Sequence, residues 1–524
     1  MKKHIILICT TLLLSIVSCD KFLDKLPDNR AEVDTEMEIE KILVYAYPQT
    51  SYILLSEFMS DNVDDYGPTN PYSDRFISQV FNWEEVTESD NESPERLWTA
   101  HYSAIAHANQ ALKAIEEIGG AATTNLKCAK AEALLCRAYN HFMLVNLFCQ
   151  HYNASKSSTD LGIPYSESPE EKLIVHYSRG TVAEVYEKIE KDIEEALPLV
   201  GDTYYSVPKY HFNEKAAYAF ATRFYLYYEK WEEAKKCADK CLGSAPAGML
   251  RDWKYQSTMT QEISAITEHY IDATLNCNLL LMTAYSKVGL TFNNYYMYSR
   301  YSHGSYLASK ETCLAENVFG GTPSMDYYMT PKVYAGTNID RVIFWKLPYL
   351  FEYTDPVAGI GYYRTVYPAF TADECLLNRA EALIMQDKFD EALVDLNTWL
   401  HNIYKTNSDL TLAKIRRFYN SISYSTWEKS TVKKHLNPAF EIGGDNSEKE
   451  AMIQCVLGFR RIETLLQGMR WFDIKRYGIE IERRVMNADG EPSRKSDQLM
   501  KDDLRRAVQI PKKAVDAGME ANPR

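Results

Sequence analysis

Residues Phe212 to Pro246 read FNEKAAYAFATRFYLYYEKWEEAKKCADKCLGSAP, and this stretch decides the fold. Asn213 suits a helix cap, because its side-chain oxygen can take up an otherwise orphaned backbone N–H. Ala217, Phe220, Ala221, Phe224 and Tyr225 then recur at helical spacing and leave one apolar face. Glu229-Lys230 interrupts, and Trp231 to Leu242 forms a second amphipathic run. The expectation is two antiparallel helices, packed closely because the small Ala residues let the helix axes approach.

The spacing of Trp231, Ala234, Ala238 and Pro246 fits the second half of a tetratricopeptide repeat, with Pro as terminator. A second copy begins at Thr371. Ala380, Leu383, Phe389, Ala392, Leu396 and Trp399 stand at the same relative offsets as Thr222, Tyr225, Trp231, Ala234, Ala238 and Cys241. Two copies at unequal intervals do not make a regular solenoid. They predict a mainly α fold, a scaffold of tetratricopeptide-like helical pairs with long insertions. Further helices are expected at Glu36 to Ala46, Leu97 to Ile118, Leu126 to Phe148 and Thr181 to Leu197. Ala247 to Phe370 has no sustained helical period, except around Met259 to Tyr285.

The chain opens Met1-Lys2-Lys3, and Ile5 to Val17 is an apolar run of signal-peptide length, too short for a stable span. It ends Ile16-Val17-Ser18-Cys19, with a branched residue at −3, a small one at −1 and a thiol at +1. This is the spelling of a bacterial lipoprotein signal, in which the Cys19 sulfur receives diacylglycerol before cleavage. Residues 1–18 are then a signal peptide, 19–34 a lipidated tether, and 35–524 one domain carrying an irregular insertion at about 247–370. Acyl chains on Cys19 would hold the protein at a membrane without a spanning helix.

The net charge is −14 over 524 residues, which argues against nucleic acid, since that requires a basic face. An apolar content of 46% suffices for a packed core. Beyond Cys9 and Cys19 the cysteines are odd in number and form no Cys-x-x-Cys pair, so buried thiols are expected rather than a disulfide framework. Metalloprotease, nucleophile-elbow and phosphate-loop motifs are absent, and no cofactor is assigned. The acidic residues Asp61, Asp64 and Asp65 lack the spacing of a calcium loop, so no metal site is assigned. A glycosidase needs only two carboxylates, so that class stays open from sequence, as does a purely structural scaffold.

Several blocks together resemble a known family. Cys19-Asp20-Lys21-Phe22-Leu23-Asp24 is followed by Ser60-Asp61-Asn62, by Trp98, Tyr102, Ile105 and Asn109 on one helix face, and by Arg137-Ala138-Tyr139 with Leu144. The densest block is Arg460-Arg461, Glu463 and Gly468-Met469-Arg470-Trp471-Phe472-Asp473-Ile474-Lys475-Arg476-Tyr477-Gly478; Ile510-Pro511 and Asn522-Pro523 close the series. The chain is similar to the SusD family, the RagB/SusD nutrient-binding lipoproteins of Bacteroidetes. Gln467 departs from the Glu usual there. The resemblance implies a mainly helical fold with four tetratricopeptide-like pairs and irregular segments opposite. It also implies an outer-membrane, surface-exposed lipoprotein that captures oligosaccharides, or peptides in some branches. Its implied partner is a SusC-like TonB-dependent transporter, and no catalysis is implied. From the residues alone, Arg470, Asp473 and Arg476 can pair along a helix turn.

The insertion is rich in Tyr: Tyr295, Tyr296, Tyr298, Tyr301 and Tyr306, then Tyr327, Tyr328, Tyr334, Trp345, Tyr349, Tyr353, Tyr362 and Tyr363. Sugar rings have apolar C–H faces and a rim of hydroxyls, which Tyr and Trp match with a flat face and a polar handle. The expected ligand-binding residues are Asp61, Arg75, Trp83, Trp98, Tyr295, Tyr296 and Trp345. Trp83 is expected exposed, in the polar stretch Phe81 to Glu85, and Trp98 sits on a helix face that also reads as core. Asp61 and Arg75 are expected to bond sugar hydroxyls. Asp61 to Trp83 and Tyr295 to Trp345 are expected to meet in space.

Overall fold

The computed structural model describes residues 33–68, 70, 72–89, 92–170, 177–320 and 326–524. The expected signal peptide, Cys19 and the expected tether up to residue 32 lie outside the described residues.

The two helical pairs form as their spacing predicts. Asn213 caps Glu214–Tyr227 by accepting from the Ala216 N–H at 3.0 Å, and Trp231–Leu242 follows. Thr371 caps Ala372–Met385 by accepting from Glu374 N–H at 3.1 Å, and Phe389–Ile403 follows. The two hairpins turn at equivalent places, on left-handed backbone at Glu229 (φ 61°) and Asp387 (φ 60°). Ala234 and Ala392, equivalent in the two copies, are fully buried. Trp231–Leu242 packs on Ala372–Met385, so the copies are neighbours despite the insertion between them. Pro94–Glu117 pairs with Thr124–Phe148, on which Val182–Ala196 packs after a Thr181/Glu184 capping box. Leu412–Ser421 and Glu448–Glu463 form a further pair, and the latter also packs on Ala372–Met385. The fold is mainly α, as expected.

The insertion is less irregular than its sequence suggests. The stretch Met259 to Tyr285 is not one helix: it splits into a short helix, Ile263–Tyr270, and a strand, Asn278–Tyr285. In chain order the strands are β1 Asp64–Asp65, β2 Asn278–Tyr285, β3 Tyr301–Ser302, β4 Lys332–Gly336, β5 Ile339–Ile343, β6 Leu350–Asp355, β7 Ile360–Thr371, β8 Ile481–Met486 and β9 Pro492–Leu499. Asn278 ends the helical segment by donating to the carbonyls of Tyr270 (3.0 Å) and Asp272 (2.9 Å). Leu279 to Met282 is then buried on both faces and pairs antiparallel with β7, giving a sheet ordered β2-β7-β6. A second sheet, β3-β1-β8-β9, joins segments from three parts of the chain, and β4-β5 is a separate hairpin.

Behind β1 lies a buried ion network. Arg470 donates to both carboxylate oxygens of Asp61, at 2.8 and 2.9 Å. Arg461 donates to the Asp61 carbonyl and to Asn62 Oδ1, each at 2.8 Å, and approaches Glu311 at 3.2 Å. Glu311 also takes Lys434 at 2.5 Å and Arg484 at 2.7 Å, and Arg484 turns back to Asp64 at 2.9 Å. Burial alone would raise the Asp61 carboxyl pKa; Arg461 and Arg470 reverse this and hold it well below the usual range. A second cluster centres on Glu381, which accepts from Arg460 (2.5 Å), Arg476 (2.6 Å) and Tyr477 Oη (2.7 Å). Arg476 stands 3.5 Å from Asp473, as the helix spacing predicts, but Arg470 leaves its own helix for Asp61. Gln467 donates to the Tyr270 hydroxyl at 2.9 Å.

The turn into helix Arg470–Arg476 needs Gly468. Its φ is +75°, a Cβ there would stand 3.0 Å from the Ile53 backbone, and its N–H donates to Glu57 at 2.8 Å.

Candidate functional site

Three of the residues expected to meet ligand are committed to the interior. Asp61 is 7% exposed and its carboxylate is taken up by Arg470, so it is corrected from a sugar contact to an anchor of the ion network. Trp83, expected exposed, is 4% exposed: its indole N–H donates to the Met59 carbonyl at 3.0 Å and the Arg483 guanidinium lies 4.2 Å over its ring. Its polar sequence neighbours give no sign of that partner. Trp98 is buried against Phe148 and Tyr102, at 5.0 and 4.9 Å between ring centres. Arg75 is exposed at the start of helix Arg75–Phe81 and stands 3.7 Å from Glu88. Trp345 is half-buried, with the Lys332 ammonium 4.6 Å over its ring. Tyr295 is 45% exposed, and Tyr296 half-buried.

The two aromatic regions do meet. Tyr66 N–H donates to the Arg300 carbonyl (2.8 Å), Tyr72 N–H to the Tyr298 carbonyl (3.1 Å) and Arg300 N–H to the Tyr72 carbonyl (3.2 Å). β1 pairs with β3, and Arg300 forks onto Asp65 with two bonds of 2.7 Å. This stitching stacks Tyr72 on Tyr296, ring centres 4.8 Å apart and planes 5° from parallel. Next along the chain, Tyr295 packs on Tyr349 at 5.0 Å, Tyr349 on Tyr363 at 5.9 Å, and Tyr363 on Phe351 at 5.3 Å. Phe351 meets Tyr353 at 4.8 Å on the β6–β7 hairpin. Tyr72, Tyr295, Tyr298, Tyr353 and Tyr362 are all exposed. The result is a run of rings, open to solvent, built from three remote stretches of sequence.

Arg341, missed by sequence reasoning, holds the loop that presents these rings. It is buried on β5, and its guanidinium donates to the carbonyls of Thr291 (2.8 Å), Asn293 (3.2 Å) and Tyr296 (2.5 Å). Burial lowers its pKa to about 10. The available sign in sequence was a lone cation beside the apolar run Val342-Ile343-Phe344. Asn293 fixes the other side of the loop by donating to the Leu347 carbonyl at 2.9 Å.

Carboxylates near the rings have other work. Asp65 holds Arg300, Asp74 caps its helix by accepting from the Ile77 N–H at 2.7 Å, and Glu352 pairs with Arg364 at 2.6 Å. What the surface offers is phenol faces with hydroxyl rims, suited to stacking and hydrogen bonding.

Residues 21–226 match a family described as starch-binding, associating with the outer membrane, and residues 345–514 match the SusD family. A search of curated proteins gave no match. Among solved structures, a SusD superfamily protein from Bacteroides thetaiotaomicron is 18% identical, with a TM-score of 0.64 over 94% of this chain and 100% of that one. A SusD-like carbohydrate binding protein from Bacteroides vulgatus is 15% identical, with a TM-score of 0.60 over 92% of this chain and 96% of that one. A SusD superfamily protein from the same species is 18% identical, with a TM-score of 0.61 over 93% and 99%. At these identities the structures establish a shared fold. The first family match ends before the insertion and the second begins within it, taking in β6 and β7, and this chain belongs to the SusD family.

Proposed function

We propose that this protein is a binding protein, not an enzyme, and that it captures oligosaccharides at the cell surface on the tyrosine run. The observation that carries this is the open chain of rings Tyr72, Tyr296, Tyr295, Tyr349 and Tyr363, held in place by Arg300 and Arg341. The carbohydrate-binding relative from Bacteroides vulgatus supports the ligand class. In this reading residues 1–18 are removed, Cys19 carries the lipid, 19–34 form the tether, and 35–524 act as one domain that hands ligand to a TonB-dependent transporter. Stacking on an exposed surface is weak, so affinity is on the order of micromolar to millimolar.

A second reading, capture of an extended peptide, is favoured by one feature. β6 is an edge strand, and its free backbone groups are a template for strand addition.

Calorimetry with a panel of oligosaccharides and peptides separates these readings. Binding of a glycan that is lost in Tyr295→Ala supports the first, and binding of peptides alone supports the second. Shorter products after incubation with any glycan would overturn the non-catalytic assignment. Cys19→Ala should release the protein from outer membranes; full retention would overturn the lipid anchor.

A further inference from the structure

Beyond the rung Tyr285↔Arg364, strands β6 and β7 run on with no third strand beside either among the described residues. The rungs from Leu350↔Arg364 to Asp355↔Ile360 make a two-stranded arm about 17 Å long. The turn Pro356 to Gly359 closes it. An isolated two-stranded ribbon is marginal in water, and an exposed apolar one invites misassembly. This arm is nevertheless apolar where it is most open. Val357, in the turn, is 99% exposed and Ile360 is 61% exposed. Pro356, Ala358 and Gly359 are exposed beside them, so the tip from Pro356 to Ile360 carries no charge.

The tip meets its own backbone needs. One carboxylate oxygen of Asp355 accepts from the N–H groups of Val357 and Ala358, each at 3.0 Å, and Pro356 has no N–H to satisfy. The Thr354 hydroxyl donates to the Ile360 carbonyl at 3.2 Å. Backbone groups bonded within the segment are what a water-free surrounding demands. Behind the tip, Tyr353 and Tyr362 are exposed on opposite faces of the ribbon, because Tyr353 pairs with Gly361 while Tyr362 pairs with Glu352 one rung back. The charges lie towards the root, where Arg364 donates to Glu352 at 2.6 Å.

An aliphatic tip, then tyrosines, then an ion pair is the order of groups met at a membrane interface. The two-sidedness of the arm decides between a lipid surface and a protein groove. A groove is met by one face of a strand, whereas here exposed tyrosines stand on both faces and aliphatic groups at the end, as suits a medium that surrounds the arm. A bilayer is also within reach in the proposed anchoring, since Cys19 stands fourteen positions before Val33, the first described residue. The Gln49 carbonyl accepts from the Tyr285 N–H at 3.0 Å, so the segment that follows the first helix, Glu36–Leu43, packs at the root of the arm.

We infer that the β6–β7 arm is a membrane-contact site: Val357 and Ile360 enter the outer face of a lipid bilayer, with Tyr353 and Tyr362 at the level of the headgroups. This goes beyond the capture of oligosaccharides, whose carrying rings include neither aliphatic residue.

The test uses residues 19–524 with Cys19→Ala, so that no acyl chain contributes, and vesicles of phosphatidylcholine. Half of the protein should sediment with the vesicles at about 1–10 mM lipid, weaker than one acyl chain would give. Val357→Asp combined with Ile360→Asp should raise that concentration at least about tenfold. The melting temperature should not change, because both side chains are exposed. A polarity-sensitive fluorophore on Ala358→Cys should shift to the blue with vesicles and be quenched by brominated lipid. The same fluorophore on Val394→Cys, exposed on helix Phe389–Ile403, should do neither. The native cysteines among the described residues are buried, which confines the label to the introduced one. Tyr295→Ala should bind vesicles like the parent, and the double variant should keep its oligosaccharide affinity, so failure here is distinct from failure of the tyrosine surface. No sedimentation at about 30 mM lipid would overturn the inference. So would vesicle binding that the double substitution leaves intact, or equal quenching at the two labels. A dimer in sedimentation velocity without vesicles, dissolved by the double substitution, would give the tip to a second copy and overturn it as well.

Discussion

Asp61 and Arg470 are 409 positions apart in sequence and joined by two hydrogen bonds of 2.8 and 2.9 Å, both buried. Removing one partner leaves a guanidinium without its anion in a site closed to water. Asp61→Asn is therefore expected to cost about 3–5 kcal/mol of stability. Urea denaturation of parent and variant checks this; coincident midpoints would refute it. Glycan affinity of the folded variant should be unchanged, because Asp61 does not reach the ring surface.

Trp83 and Tyr295 should separate stability from binding. Trp83→Ala empties a packed indole site beneath Arg483 and should cost about 3–5 kcal/mol, with affinity retained in the folded fraction. Tyr295→Ala should leave the melting temperature near that of the parent and weaken oligosaccharide binding at least about tenfold, as removal of a dominant contact does. Calorimetry and thermal melts on both variants decide the matter. The assignment fails if Trp83→Ala loses affinity while Tyr295→Ala keeps it.

Arg341→Met should loosen the Thr291 to Tyr296 segment, because three carbonyls lose their shared donor. Amide hydrogen exchange there should quicken, and oligosaccharide affinity should fall without loss of the aromatic side chains themselves. Unchanged exchange across that segment would remove Arg341 from the account.

Acid should weaken the protein in a defined window. Burial opposes the charged form of Glu381, yet Arg476 and Arg460 bring its pKa down from 4.5 to about 2. A carboxyl depressed in the folded state contributes stability that is fully present above about pH 4.5 and is lost as pH falls towards 2. Glu381→Gln should be less stable than the parent at pH 7 and should show a shallower decline between pH 4.5 and 2.5. Equal slopes in pH-dependent urea titrations would rule out the assignment.

Ala234 and Ala392 are fully buried at equivalent places in the two repeat-like pairs. Ala234→Phe and Ala392→Phe should each overpack a helix contact and cost about 1–3 kcal/mol. Melts indistinguishable from the parent would undo the repeat equivalence.

The scaffold was legible because a helical face is a local pattern. Asn213 and Thr371 stand directly before the helices they open, and the shared offset between Ala234 and Ala392 is visible without any structure. β2 was not legible. Leu279 to Met282 is buried on both faces, and an unbroken apolar run carries neither the period of a helix nor that of a half-exposed strand. The meeting of the two aromatic regions was anticipated, but Trp83 and Asp61 were misplaced. Their surroundings are set by Arg483 and Arg470, some 400 positions away, and residue neighbours in sequence say nothing of such partners. Arg341 was overlooked because a single cation in an apolar strand gives no pattern.

The ion network also sets an order of events. Asp61, Asp64 and Glu311 leave the ribosome long before Arg461, Arg470 and Arg484, which are their guanidinium partners. Until the last of these has emerged, the cluster lacks its full set of counter-charges, Asp64 above all, and closing the interior early would strand them. A nascent chain therefore keeps this face open and hydrated through most of its synthesis. Final closure waits on β8, so a chain cut short before residue 484 is a target for proteolysis rather than a smaller working protein.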